Sequence, residues 1–174
     1  QYTNAVFGFV NMMNSVLKED FSHILVAFDK SGQTFRHDYF PDYKGGRKPM
    51  PEEFRSQIDL IKKSLDVLGV KQREIHLIEA DDIIGTYATK YYDQFDDIEI
   101  ISNDKDLLQL VNDKVHLRSS KKGMQNYISY TPSYLEETMG ISPSLITDLK
   151  GLMGDASDNL PGIPGVGEKD SRTL

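Results

Sequence analysis

Apolar residues fall along this chain in two rhythms. Short continuous runs such as Ile24–Phe28 and Ile98–Ile101 read as buried strands, and longer stretches with apolar residues three and four apart read as helices. The pattern predicts strands over 22–28, 74–78, 98–102 and 114–117, with a further edge strand over 125–130. Helices are predicted over 51–68, from about Asp81 to Tyr92, and briefly over 105–111, with two short ones split by Gly140 and Pro143 within 132–152. Pro51 suits a first turn, Glu52 and Glu53 suit the positive end of the helix dipole, and Gly69 stops the helix. The N-terminal stretch predicts an amphipathic helix with Val6, Phe7, Val10, Met13 and Leu17 on one face. Strands alternating with helices of this length imply an α/β fold with a mostly parallel sheet.

Three of four acidic clusters follow those strand-like runs. They are Asp29; Glu79, Asp81 and Asp82; and Asp104 with Asp106. The fourth is Asp155 with Asp158. In an open parallel sheet, residues beyond the carboxyl ends of strands converge on one crevice. A lone aspartate at a helix start is usually a cap, but these clusters supply more acid than capping needs. Carboxylates packed side by side repel, and a cation removes the penalty. Hard divalent ions with oxygen ligands, Mg²⁺ or Mn²⁺, fit such a set. Two of them about 4 Å apart make a phosphoryl-transfer site.

Composition narrows the picture. The 174 residues make one domain, or one domain with part of another; 39% are hydrophobic, enough for a core. No run reaches the roughly 18 apolar residues of a membrane span, and the start lacks a basic region and cleavage site of a signal peptide. With no cysteine there is no disulfide framework and no thiolate zinc site, which fits a cytoplasmic protein. A net charge of −7 argues against nucleic acid as a partner, unless the acids are engaged by metal. The histidines form no hydrolase pattern. His23 and His76 read as packed, His116 as structural, and His37 as a phosphate contact. Met12, Met13, Met139 and Met153 read as core.

Two segments suggest nucleic acid despite the charge. Residues 30–49 carry Lys30, Arg36, Lys44, Arg47 and Lys48, with Phe35, Tyr39, Phe40 and Tyr43 between them. Basic residues neutralise phosphates and aromatics stack on bases, so this loop suits a single strand or a frayed end. Gly162, Gly165 and Gly167, followed by Lys169, lie in a GIPGVGEK turn whose amides suit a phosphate oxygen and whose carbonyls suit a monovalent cation such as K⁺. A helix–hairpin–helix built this way grips duplex backbone without reading bases.

AFD at 27–29, FRHDYFPDYKGGRKPMPEEF at 35–54, EADDIIGT at 79–86, SNDKDLLQL at 102–110 and MGDASDNLPGIPGVGEK at 153–169 together resemble the bacterial 5′–3′ exonucleases. These are flap endonuclease relatives, found alone or as the N-terminal domain of DNA polymerase I. The resemblance implies a three-layer, PIN-like and resolvase-like core over 1–140, with a basic arch at 30–50. The start of a helix–hairpin–helix region would occupy 141–174. It implies a nuclease that uses two Mg²⁺ or Mn²⁺ ions to hydrolyse DNA with 5′ ends or flaps, RNA primers among the candidate substrates, with a DNA polymerase as partner. The family pattern makes Asp29, Glu79, Asp81, Asp82, Asp104, Asp106, Asp155 and Asp158 the metal-site acids. Glu79, Asp81, Asp104 and Asp106 are expected at one ion, and Asp155 with Asp158 at the other. Lys44 and Arg47 match catalytic contacts to the scissile phosphate; Arg36, Tyr43, Lys48, Gly162, Gly165, Gly167 and Lys169 are expected DNA contacts. The family begins with a strand and an aspartate upstream of Gln1, and continues past Leu174, so the chain reads as a fragment whose own catalysis is expected to be weak. A binding module without catalysis and a ribonuclease of the same architecture are the alternative readings.

Overall fold

The computed structural model describes residues 2–120 and 127–167. In chain order the elements are α1 (Asn4–Val16), β1 (Leu25–Ala27), α2 (Arg36–Tyr39), α3 (Glu52–Leu68), β2 (Lys71–Arg73) and α4 (Ala80–Lys90). There follow β3 (Ile98–Ile101), β4 (Val115–Ser120), β5 (Tyr127–Tyr130), α5 (Pro132–Met139), α6 (Ile146–Met153), β6 (Gly154–Asp155) and β7 (Leu160–Pro161). The predicted start of β5 at Gln125 lies outside the described residues. The elements fall into two compact units, residues 1–32 with 48–80, and 33–47 with 81–174.

In the first unit α1 packs on α3, and β1 pairs in parallel with β2. α3 starts behind Pro51 with Glu52 and Glu53 in its first turn. It ends at Gly69, whose φ of 71° is the left-handed cap that glycine adopts without strain. Leu65, fully buried, centres a core with Met13 and Val70. Thr3 gives α1 no side-chain cap. Gln57 on α3 replaces it: its Oε1 accepts from the amides of Ala5 at 2.8 Å and Val6 at 3.4 Å, and its Nε2 donates to the Glu53 carbonyl at 2.8 Å. Two otherwise orphaned helix donors are thereby satisfied by a residue that is itself buried.

Three expectations fail in this unit. The strand expected over 74–78 is instead the polar segment Lys71–Arg73. Parallel pairing with β1 sets Lys71 opposite Leu25 and Arg73 opposite Ala27, and Gln72 lies half-buried because its amide donates to Lys62 O and Asp66 Oδ1. Ile75 and Leu77 are exposed, and Leu77 turns the chain with φ 64°. In α1, Met13 and Val16 face the core while Phe7 is 69% exposed and Leu17 is exposed too. His23 and His76 are exposed rather than packed.

In the second unit β3 pairs in parallel with β4, and β4 pairs antiparallel with β5. β4 alternates buried Val115 and Leu117 with half-buried His116 and Arg118. These strands, the segment after β3 and the helices α5 and α6 close on a core of Ile100, Leu107, Leu108, Leu135 and Ile146. The short helix expected over 105–111 is a 3₁₀ helix, Lys105–Leu110, whose start is capped by Asp104. Thr131 caps α5, and Gly140 (φ 67°) ends it. Among the described residues, no helix is long and apolar enough to cross a membrane.

Candidate active site

Three chain reversals of the second unit bring carboxylates together. The first is the start of the 3₁₀ helix. Asp104 accepts from the Asp106 amide at 2.9 Å, which sets the backbone of Asp106. The second follows α6. Gly154 has φ 73°, and a Cβ there would lie 2.3 Å from the Gly162 amide nitrogen. A Cβ on Gly162 would lie 2.2 Å from the Met153 carbonyl. Only glycines let β6 and β7 approach so closely, and Ile163 N donates to Leu152 O at 2.8 Å across the same junction. Asp155 leaves that junction and folds its own loop. Its Oδ1 accepts from Ser157 N at 2.8 Å and Ser157 Oγ at 2.6 Å.

Among the described residues, Asp106, Asp155 and Asp158 present carboxylate oxygens all within 4.8 Å of one another. They line an open depression of about 350 Å³ with Thr147, Lys150 and Pro161. Lys150, from the last turn of α6, bridges two of them, with Nζ 2.6 Å from Asp106 Oδ1 and 2.7 Å from Asp155 Oδ2. Burial is the largest influence on Asp155 and pushes its carboxyl up. Hydrogen bonds from Lys150 and Ser157, with the Lys150 charge, outweigh it and hold the group well below the usual carboxylate range. For Lys150 burial pulls the ammonium down, but bonds to Asp106 and Asp155 leave it raised.

The third reversal is the turn after α2. Tyr43 Oη donates to Asp158 Oδ2 at 2.9 Å, and Arg47 donates to Asp158 Oδ1 at 2.6 Å. The Lys44 amide donates to the Asp158 carbonyl at 2.9 Å, and Asn159 Nδ2 to the Asp42 carbonyl at 2.9 Å. Lys44 and Asn159 both hold positive φ, 57° and 60°.

The remaining expected residues sit as follows. Arg36 makes a bidentate pair with Asp82, both contacts 2.7 Å. Asp81 is half-buried in the first turn of α4, and Asp104 is exposed. In the first unit Asp29 accepts from the Ala80 amide at 2.7 Å, Glu79 is buried and Lys48 is exposed. Tyr43, expected to stack on bases, has its ring buried edge-on to His37, 5.5 Å between centroids. The His37 ring nitrogen lies 3.0 Å from the Thr34 amide, whose proton it accepts. Gly165 takes φ 84° in the glycine turn, and Gly162 serves the close approach at β6. Lys169 lies outside the described residues. Asp106 was expected with Glu79, Asp81 and Asp104; its neighbours across the depression are Asp155 and Asp158. Lys150 escaped the sequence reading altogether, although a lysine in the last helical turn five residues before Asp155 is a signal for it.

The donor set suits a hard divalent cation. All three groups are carboxylates, and cationic side chains already sit among them at hydrogen-bond distance. Those cations can leave, whereas a backbone partner cannot.

The chain matches two family models: the N-terminal resolvase-like domain of 5′–3′ exonucleases over residues 1–140, and the C-terminal SAM fold of 5′–3′ exonucleases over 141–174. It is 47% identical over 169 residues to DNA polymerase I of Streptococcus pneumoniae, covering 97% of this chain and 19% of that protein. It is 44% identical over 174 residues to DNA polymerase I of Bacillus subtilis, covering 99% and 20%. The chain thus spans about a fifth of the length of these relatives. Among solved structures, T5 5′-exonuclease with bound divalent zinc superimposes with a TM-score of 0.81 at 24% identity, covering 99% of this chain and 66% of that one. The catalytic core of Rad2 in complex with DNA substrate gives 0.60 at 18% identity, covering 97% and 51%. These two likenesses show a shared fold, a mixed α/β resolvase-like core. With its residues 1–140 and 141–174 matched by these two family models, the chain belongs to the 5′–3′ exonuclease family.

Proposed function

We propose that this chain is the nuclease part of a protein that hydrolyses DNA phosphodiester bonds at 5′ ends and 5′ flaps, in replication and repair in the cytoplasm. The observation that carries the reading is the meeting of Asp106, Asp155 and Asp158, with a basic turn hydrogen-bonded onto Asp158. Two divalent ions, Mg²⁺ or Mn²⁺, when bound, supply a nucleophile at neutral pH and stabilise charge on the attacking and leaving oxygens. Asp106, Asp155 and Asp158 hold one ion. In the family pattern Asp29, Glu79, Asp81, Asp82 and Asp104 match the further metal-site acids.

The chain's own residues do the rest. Asp104 fixes Asp106 through the 3₁₀ cap, and Ser157 fixes Asp155. Lys44 and Arg47 meet the scissile phosphate, where fixed positive charge stabilises the transition state. Arg36, Tyr43 and Lys48 line the approach of the strand or position those that do. The turn through Gly162, Gly165 and Gly167, with Lys169, holds duplex backbone beside a K⁺ ion in a helix–hairpin–helix. The division into a core over 1–140 and a clamp from 141 belongs to the same proposal. So does a polymerase in the same or another chain, supported by the names of the relatives.

The test is cleavage of labelled 5′-flap DNA and of matching RNA by the intact protein, with Mg²⁺ and with chelator. Magnesium-dependent cutting of the DNA flap is expected. Metal-independent cutting contradicts the metal site, preferred cutting of RNA favours a ribonuclease, and tight binding without cutting favours a binding module.

A further inference from the structure

The turn that carries Lys44 and Arg47 is built as a partner of Asp158, and its bonds use the same two oxygens that a cation needs. Arg47 takes Oδ1 at 2.6 Å and Tyr43 takes Oδ2 at 2.9 Å. Main-chain and side-chain bonds complete the junction. Lys44 N donates to Asp158 O, Arg47 Nε to Ser157 O at 3.3 Å, and Asn159 Nδ2 to Asp42 O. The two non-glycine residues with positive φ in this unit, among the described residues, face each other across that junction. A lysine at φ 57° stores strain that its surroundings must hold. The arrangement is therefore a strained turn latched by a carboxylate.

We propose that a divalent cation at Asp155 and Asp158 unlatches the turn at 42–47, so that metal loading and release of Lys44 and Arg47 are one coupled event. The inference rests on the metal-site reading above. A cation at Asp158 draws on the lone pairs that Tyr43 and Arg47 now use, and like charge repels the guanidinium. Freed of Asp158, Lys44 and Arg47 turn toward the phosphate. Without metal the Arg47 guanidinium stays docked on Asp158 and the Lys44 amide stays bonded to the Asp158 carbonyl, so the turn does not present its basic side chains to DNA the protein cannot cut. Thermodynamic reciprocity requires the converse. Whatever weakens the latch must tighten the cation by the same factor.

The experiment reads both sides of that linkage in the intact protein without using catalysis. Calorimetric titration with Mn²⁺ measures affinity, and hydrogen exchange by mass spectrometry measures protection of residues 42–47, including the Lys44 amide. Tyr43→Phe keeps the buried ring and removes the bond to Oδ2. Arg47→Gln removes the charge. Each is expected to raise Mn²⁺ affinity, Arg47→Gln by about tenfold, the scale of one allosteric coupling. Each is also expected to speed exchange of 42–47 without metal, and Mn²⁺ is expected to speed it in the parent. Asp155→Asn separates the two readings: it removes the ion held at Asp155 and Asp158 and leaves the latch on Asp158. If Mn²⁺ binds, Asp155→Asn loses one of the bound ions, and yet affinity and exchange are indifferent to both turn variants, the coupling is overturned while the metal site stands. If Mn²⁺ does not bind the parent at all, both fall.

Discussion

Gln57 in the first unit and the Asp106–Asp155–Asp158 group in the second are both polar clusters inside packed structure, yet they are satisfied mainly by different kinds of partner. Gln57 is 2% exposed, and backbone groups of Ala5, Val6 and Glu53 are among its partners. Such partners cannot leave while the helices stand. The three aspartates are half-buried; Asp155 Oδ1 accepts from the Ser157 amide, but other carboxylate oxygens of the group meet Lys150, Arg47 and Tyr43, whose long side chains can swing away. A polar group bonded to backbone locks a fold; carboxylates held by movable cations keep a place that another cation can take. The first arrangement serves stability and the second chemistry. Substitutions in the two should therefore dissociate the two properties.

The largest expected effect is at Asp155. Asp155→Asn should cut 5′-flap DNA at least ~10²-fold more slowly in single-turnover kinetics, as removal of a main electrostatic stabiliser does. The Mg²⁺-dependent rise in Tm, which mass action gives any ligand of the folded state alone, should shrink with it to what the remaining ion gives. Far-ultraviolet circular dichroism should remain that of the parent. Gln57→Ala comes next and should do the reverse. It leaves the Ala5 and Val6 amides without their buried acceptor, which costs about 1–3 kcal/mol. Denaturant unfolding of the intact protein should show that loss, while cleavage by the folded protein stays within about twofold.

A smaller change sharpens the second half of the comparison. If Lys150 stands where positive charge belongs, Lys150→Met should bind Mn²⁺ more tightly. The gain should be modest, about fivefold, because the pair is partly exposed and screened. Isothermal titration checks it, and unchanged or weaker Mn²⁺ binding would mean that the ammonium does not compete.

Much of the comparison was legible beforehand, for physical reasons that differ by residue. α3 announced itself through Pro51, the two glutamates and Gly69, all local signals. Asp106, Asp155 and Asp158, which the structure brings together, stand out in the sequence as candidates because carboxylates in that number have few structural uses. β2 was not. Its residues are polar, and only pairing with β1 and the bonds of Gln72 make Lys71–Arg73 a strand. Tyr43 reads from the sequence as a DNA contact, but a ring among basic residues does not reveal that its hydroxyl reaches a carboxylate 115 residues away. Gly162 was read as part of a phosphate nest, whereas its clearest duty is to let β7 pass the Met153 carbonyl. Pairing between segments decides all three, across most of the chain for Tyr43 and across a short reversal for Gly162, and periodicity does not encode it.

The smallest effect concerns a polar contact outside both clusters. Tyr92 donates to Asp113 at 2.7 Å. That hydrogen bond, together with partial burial and the charges of Asp113 and Asp93, raises the Tyr92 hydroxyl above the ordinary tyrosine range. The same bond is the main cause holding Asp113 below the ordinary aspartate range. The signs follow. The tyrosine's contribution to stability is complete below about pH 10 and is lost as pH rises through its raised value. The aspartate's is complete above about pH 4 and is lost as pH falls through its lowered value. Burial raises the Tyr130 hydroxyl as well, so absorbance titration near the tyrosinate band should show late-ionising groups of which one disappears in Tyr92→Phe, with only a slight change in Tm.

The account stands most directly on whether the three aspartates hold one of two divalent ions. Mn²⁺ stoichiometry, counted by calorimetry on the intact protein and on its Asp155→Asn variant, decides it. Two ions per chain in the parent and one in the variant is the expected result. The same stoichiometry and affinity in both would contradict it, because Asp106, Asp155 and Asp158 would then be carboxylates held by Lys150 and Arg47 for the sake of the fold.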